Sequence, residues 1–109
     1  MITPLTYQIL LALASHHRHG YGIIKEIEEQ TSQSTAPSTG ALYLALQRME
    51  LEGLIEEAPD RPTVGDDARR RYYRLTRRGR QVAREESARL AALVAAARRN
   101  NLLPAGADA

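Results

Sequence analysis

The chain of 109 residues contains no cysteine. That removes a disulfide framework and a thiolate metal site together. No apolar stretch is long enough to cross a bilayer. The first residues lack the basic segment, apolar run and small-residue cleavage site of an export signal. A soluble, cytoplasmic protein without membrane association is the expectation. No glycine-rich phosphate loop is present, and no Ser/His/Asp spacing suggests a nucleophilic site. The chain therefore reads as a non-enzyme without a cofactor. The three histidines, His16, His17 and His19, invite a metal reading. Two adjacent histidines cannot point the same way on a helix, however, and no Asp, Glu or Cys lies beside them, so no metal site is expected. The glutamates of "EIEEQ" (Glu26, Glu28, Glu29) have the spacing of a solvated helical face rather than of acid/base groups. A chain of this length is one domain with a real core and little room for a deep substrate cavity.

What is present is arginine, unevenly placed. The formal net charge is +2, but residues 1–60 hold three Lys/Arg against eight Asp/Glu, net −5. Residues 61–84 hold nine Arg against Asp66 and Asp67, net +7, and residues 85–109 balance at three each. A basic segment between acidic and neutral ones marks either a surface that faces a polyanion or a solvated arginine face.

Thr3-Pro4 opens the first element, because threonine caps and proline fits the first helical position, where its missing N–H would be unpaired anyway. Leu5, Ile9, Leu10, Ala12 and Leu13 recur at helical spacing, and this helix is expected to end near Ser15. "HHRHGYG" reads as a turn. A second helix follows with Ile23, Ile24 and Ile27 inward and Lys25, Glu26, Glu28 and Glu29 outward. "TSQSTAPS" is a polar linker. The third helix starts at Ser38, a hydroxyl cap, places Leu42, Ala45, Leu46 and Met49 on one arc, and stops at Gly53, which supplies a left-handed residue. Tyr43, Leu44, Gln47, Arg48 and Leu51 lie off that arc. "LIEEA" is a short strand, "PDRPTVGDDA" a turn-rich loop and "RRRYYRL" a second strand, with Arg71, Tyr73 and Leu75 on one side and Arg70, Tyr72 and Arg74 on the other. Thr76 caps a last helix that runs to about Asn100.

The order is three helices, a two-stranded ribbon and a long helix. This is a mainly α fold with a small β-hairpin, the winged helix-turn-helix arrangement, followed by a long C-terminal dimerisation helix. The expected division is a winged-helix DNA-binding unit over 1–76, the dimerisation helix over 77–103 packed on the same domain, and a flexible tail over 104–109. A helix fits the major groove, and the hairpin reaches an adjacent groove or backbone.

Three segments carry a family resemblance. "HGYGI" (His19–Ile23), "STGALYLALQRMELEGLIE" and "RRYYRLTRRGR" (Arg70–Arg80) resemble, in order and at family spacing, motifs of the PadR-like winged-helix transcriptional regulators. They correspond to the start of the second helix, the recognition helix, and the second wing strand with the start of the dimer helix. The match covers most of residues 5–95. Thr39 stands where proline is common in the family, Ala41 where a hydroxyl residue is common, and Leu44 where a polar or basic residue is common. The single C-terminal helix is similar to the shorter branch of the family. The resemblance implies a dimeric regulator, a repressor, that binds a two-fold operator through the third helix and the wing.

The residues themselves supply the candidate contacts. Tyr43 either donates its hydroxyl to phosphate while its ring packs on sugar or a thymine methyl, or braces the second helix. Ser38 and Thr39 sit at a helix N-terminus that favours phosphate, though capping explains Ser38 equally well. Gln47 suits adenine or water, and Leu44 a thymine methyl or another part of the protein. Arg61, Arg69 and Arg70 of the wing suit phosphate, or serve solubility. Arg77, Arg78, Arg80 and Arg84 read mostly as a solvated face. Val82, Leu90, Leu93, Val94 and Ala97 form an apolar stripe that exceeds what a small core needs and suits a second copy of the chain. Glu86 interrupts that stripe, either pairing with an arginine of the other subunit or marking where the stripe meets water. A small apolar or aromatic effector is expected between the first and last helices, at Ile9, Leu13, Leu90 and Leu93. The rival reading is a winged-helix protein-interaction module, to which exposed Leu44 and Leu51 would belong.

Overall fold

The computed structural model describes residues 2–31, 36–59 and 70–105. Helix α1 spans Pro4–Ala12. The Thr3 hydroxyl accepts from the Thr6 N–H at 3.1 Å and Pro4 occupies the first turn, so local chemistry sets its start. It ends three residues before the expected Ser15. The Leu13 N–H is shared between the Ile9 and Leu10 carbonyls, and Ala14 bonds to Leu11, a tightening that closes the helix. The Arg18 guanidinium then takes up the Ala12 carbonyl at 2.6 Å.

"HHRHGYG" is more than a turn. Arg18–His19 form strand β1, and helix α2 follows directly over Gly20–Thr31. Helix α3 spans Thr39–Leu51, capped by the Ser38 hydroxyl, which accepts from the Ala41 N–H at 3.1 Å. Gly53 ends it at φ 76°. Its own N–H bonds back to Glu50 and that of Leu54 to Met49, which satisfies two carbonyls of the last turn. Strand β2 is Ile55–Glu57 and strand β3 is Tyr72–Leu75. The expected two-stranded ribbon is thus a three-stranded antiparallel sheet in the order β1-β3-β2. Arg18 pairs with Tyr73 and His19 with Tyr72 on one side, and Glu56 with Arg74 and Glu57 with Tyr73 on the other. The sheet therefore ties the wing to the start of α2.

Thr76 caps helix α4, Arg77–Arg99, by accepting from the Gly79 N–H at 3.0 Å. Gly79 lies so close to the Leu54 carbonyl that a β-carbon there would overlap the backbone. At the far end Asn101, at φ 59°, closes α4 as Gly53 closes α3, with the Leu102 N–H on the Ala97 carbonyl at 2.8 Å. Asparagine is the side chain that tolerates this conformation most readily.

The core is almost entirely aliphatic. Ile9 and Leu10 of α1, Ile23 and Ile27 of α2, Leu42, Leu46 and Met49 of α3 and Ile55 of β2 are fully buried. Each such burial contributes roughly 1.5–3 kcal/mol. The first part of α4 joins this core through Val82 and Ala83, and the Tyr7 hydroxyl bonds Ser87 Oγ at 2.7 Å. The Cα radius of gyration is 15.5 Å, against about 13 Å for a compact chain of this length. A helix of 23 residues runs about 34 Å, longer than the small core it packs on.

Candidate nucleic-acid interface

The inward arc of α3 is Leu42, Ala45, Leu46 and Met49, all buried. At about 100° per residue, the positions diametrically opposite are Gly40, Leu44, Gln47 and Leu51. All four are exposed, Leu44 at 67% and Leu51 at 84%. Gly40 is in an ordinary helical conformation, and a β-carbon there would meet nothing within 4 Å. Among the described residues, no contact requires a glycine at this position. Arg48 and Tyr43 flank the face on its two sides. Thr39 is exposed in the first turn, and the Ser38 hydroxyl beside it is spent on the cap.

Tyr43 does two things at once. It is 48% exposed, yet its hydroxyl lies against Gly20, where a β-carbon would overlap it. The ring therefore braces the start of α2 and presents its other side outward. A cleft of about 400 Å³ opens here, lined by His19, Gly20, Tyr21, Tyr43, Arg70, Arg71 and Tyr73. It joins α3 to the start of β3. Arg70 Nη1 approaches His19 Nε2 at 3.0 Å, and its guanidinium stands 5.8 Å from the centre of the Tyr21 ring. The His19 Nδ1 accepts from the Gly22 N–H at 3.0 Å, and its ring meets Tyr72 edge-on at 5.1 Å. Lys25 Nζ also lies 5.4 Å from the centre of the Tyr21 ring. Its hydrogen bond to Tyr21, and then the charge of Glu28, hold its pKa above the ordinary lysine value, so it stays a cation. Burial raises the Tyr73 phenol at the back of the cleft, which keeps it neutral.

Not every arginine of the basic segment faces outward. Arg71 bonds Glu50 and Glu57, each at 3.1 Å, and covers the Tyr73 ring at 5.3 Å. Arg74 bonds Glu56 at 2.8 Å. Such exposed pairs add little stability, but they fix how the sheet meets the end of α3. Arg78 donates to the Glu52 carbonyl and Arg80 to that of Ala14, so these two hold α4 to its neighbours. Arg61 and Arg69 lie outside the described residues. His19, Tyr21 and Lys25, by contrast, were not among the expected site residues. The histidine and tyrosine around Gly20 were the available signal, hidden because a two-residue strand shows no alternation.

Along α4, Val82 is half-buried on the core, Leu90, Val94 and Ala97 are half-buried, and Leu93 is 53% exposed. Glu86 is buried within the single chain and its partner is Arg89 of the same helix, with Arg89 Nε on Glu86 Oε1 at 3.1 Å and Nη2 on Oε2. That bond holds the carboxyl below its ordinary pKa against the opposing effect of burial. A second cleft, of about 460 Å³, lies between α1 and α4 and is lined by Ile2, Pro4, Tyr7, Gln8, Glu86, Arg89 and Leu90. Of the four residues expected to meet an effector, Leu90 is on this wall, Leu93 is beyond it, and Ile9 and Leu13 are inside the core. Among the described residues no group of His, Asp or Glu is placed to hold a metal ion, and no helix is long and apolar enough to cross a membrane.

Comparison with known proteins agrees with this architecture. The chain is similar to an uncharacterized protein X of Lysinibacillus sphaericus, with 34% identity over 77 residues, 71% of this chain and 69% of that one. Its fold matches a PadR family transcription regulator from Clostridium difficile with a TM-score of 0.76 and 26% identity, over 89% of this chain and 97% of that one. It also matches Bacillus subtilis PadR, solved in complex with operator DNA, with a TM-score of 0.64 and 25% identity, over 76% of this chain but only 46% of that longer one. The model of the PadR-like transcriptional regulator family matches residues 9–85. With that match on a four-helix fold carrying a small antiparallel sheet, the chain belongs to the PadR-like family of transcriptional regulators, and is a regulator rather than an enzyme.

Proposed function

We propose that the protein is a dimeric repressor that binds a two-fold operator in double-stranded DNA through α3 and the wing. The observation that carries this reading is the cleft where Tyr43 of α3, His19 of β1, Tyr21 of α2 and Arg70 beside β3 converge. Two hydroxyl-bearing rings and an arginine on one rim of an exposed helix suit a phosphate backbone, while the helix face beside them meets base edges. The operator complex of the Bacillus subtilis relative supports DNA as the polymer. Arg61, Arg69 and Arg70 would add contacts to phosphate that do not depend on sequence.

The second copy pairs along α4, through Leu90, Leu93, Val94 and Ala97. Leu93, 53% exposed, is the centre of an apolar stripe that a lone chain would leave in water, and a closed two-fold is the commonest solution. The α1/α4 cleft beside that stripe would take a small apolar or aromatic effector. Binding there would release DNA to the extent that the effector prefers one spacing of the two recognition helices over another.

The test is fluorescence anisotropy with labelled genomic fragments across a salt series. A DNA regulator gives sequence-selective binding that weakens steeply with salt. Tyr43→Ala should weaken it by roughly 1–3 kcal/mol with the dimer intact. The rival is a protein-interaction module that uses Leu44 and Leu51. It gains ground if no fragment is selected and Tyr43→Ala changes only thermal stability.

A further inference from the structure

We propose that Leu44 reads the C5-methyl group of a thymine in each operator half-site, so that this chain specifies an A·T pair by an apolar contact at the middle of α3. The inference rests on the DNA-binding reading above and deepens it. Leu44 is 67% exposed and points directly away from the core face of its helix. Its neighbours on that outward face are Gly40, which has no side chain, and Gln47. The middle of the face therefore offers one branched aliphatic group and one amide, and no cation. The cations lie to the sides: Arg48 on one edge, and Arg70 and Lys25 around the Tyr21 ring on the other. That is the charge layout of a groove reader, with positive rims for the two phosphate strands and an uncharged centre for base edges.

In the major groove the one apolar feature of a base pair is the thymine methyl, and aliphatic side chains contact it. Gln47 lies about 4.5 Å further along the helix axis, a little more than one base-pair step, and an amide pairs bidentately with adenine. Leu44 and Gln47 together thus suit neighbouring A·T pairs. A protein partner fits this face less well. Docking patches are contiguous apolar areas, whereas the next exposed leucine, Leu51, stands about 10.5 Å along the axis with Gln47 between.

The experiment starts from an operator duplex selected from a random pool by the full-length protein. Each thymine of one half-site is then replaced singly by deoxyuridine, which keeps base pairing and removes only the methyl. Wild type should lose roughly fourfold in affinity, the worth of one buried methyl group, at one position in the half-site. Leu44→Ala should bind the thymine operator more weakly and be indifferent to that replacement, while keeping its melting temperature because the side chain is exposed. Two results overturn the proposal: no deoxyuridine replacement affects wild type, or the sensitive position is equally sensitive in Leu44→Ala. If the protein enriches no sequence from the pool, the DNA-binding reading itself fails, and the proposal with it. Selection without methyl sensitivity refutes the proposal alone.

Discussion

Replacing Gly40 by alanine separates the stability of this protein from its function. A glycine in a helix costs about 0.5–1 kcal/mol relative to alanine, through the freedom it loses on folding. At Gly40 a β-carbon would meet nothing within 4 Å, and the backbone carries no positive φ. Nothing among the described residues opposes the gain, so Gly40→Ala should raise stability by about 0.5–1 kcal/mol. For a domain of this size that is roughly 2–8 °C in Tm, measured at fixed protein concentration because a dimer's Tm depends on it. On the proposed reading, the same methyl group would stand against the DNA from the first turn of α3. A methylene forced into a close-packed contact costs typically 1–3 kcal/mol. Operator affinity should therefore fall about 5- to 150-fold while the protein melts higher. Scanning calorimetry and anisotropy on one preparation read both. A variant that is more stable and binds as tightly as wild type would refute the idea that this face lies against DNA.

Much of the local structure was legible because local chemistry produces it. Thr3, Ser38 and Thr76 cap their helices, Gly53 ends α3, and the inward arc of α3 is the one its spacing implies. What was not legible depends on residues far apart in sequence. Strand β1 is two residues long and exists because Tyr72 and Tyr73, more than fifty positions later, pair with it. The fate of the arginines was hidden for the same reason. Which of them meet Glu50, Glu56 and Glu57 is decided by strand register and the angle of α3, and that assigns Arg71 and Arg74 to the protein itself. Glu86 was legible locally as well: within the single chain Arg89 holds its carboxylate from three residues away on the same helix, at a spacing that brings side chains together.

Three further outcomes follow from particular contacts. Gly79→Ala forces a β-carbon into the Leu54 carbonyl and should destabilise the fold by roughly 3 kcal/mol or more, read from urea denaturation. An unchanged midpoint would mean that α4 is not seated on Leu54. Arg89 holds the Glu86 carboxyl below its ordinary value of 4.5. The charged pair therefore stabilises the native state above that value and loses its contribution as the pH falls through 4.5 and below. Glu86→Gln should remove this part of the acid dependence, and a denaturation midpoint that falls with pH as steeply as wild type would argue against the pair. Leu90→Asp should dissociate the proposed dimer in sedimentation velocity and abolish operator binding in the same protein. A monomeric Leu90→Asp chain that binds its operator at wild-type affinity would separate the two functions joined here.

On the proposed reading, two copies of α3, related by a two-fold axis along α4, lie in successive major grooves on one side of the duplex. Hydroxyl-radical footprinting of a selected operator tests it most directly. Two protected patches should appear on one face, related by an inverted repeat and centred about 34 Å apart or a small multiple of that, and both should need more protein to form with Tyr43→Ala. A single unpaired patch, or a footprint that Tyr43→Ala leaves unchanged, would contradict it.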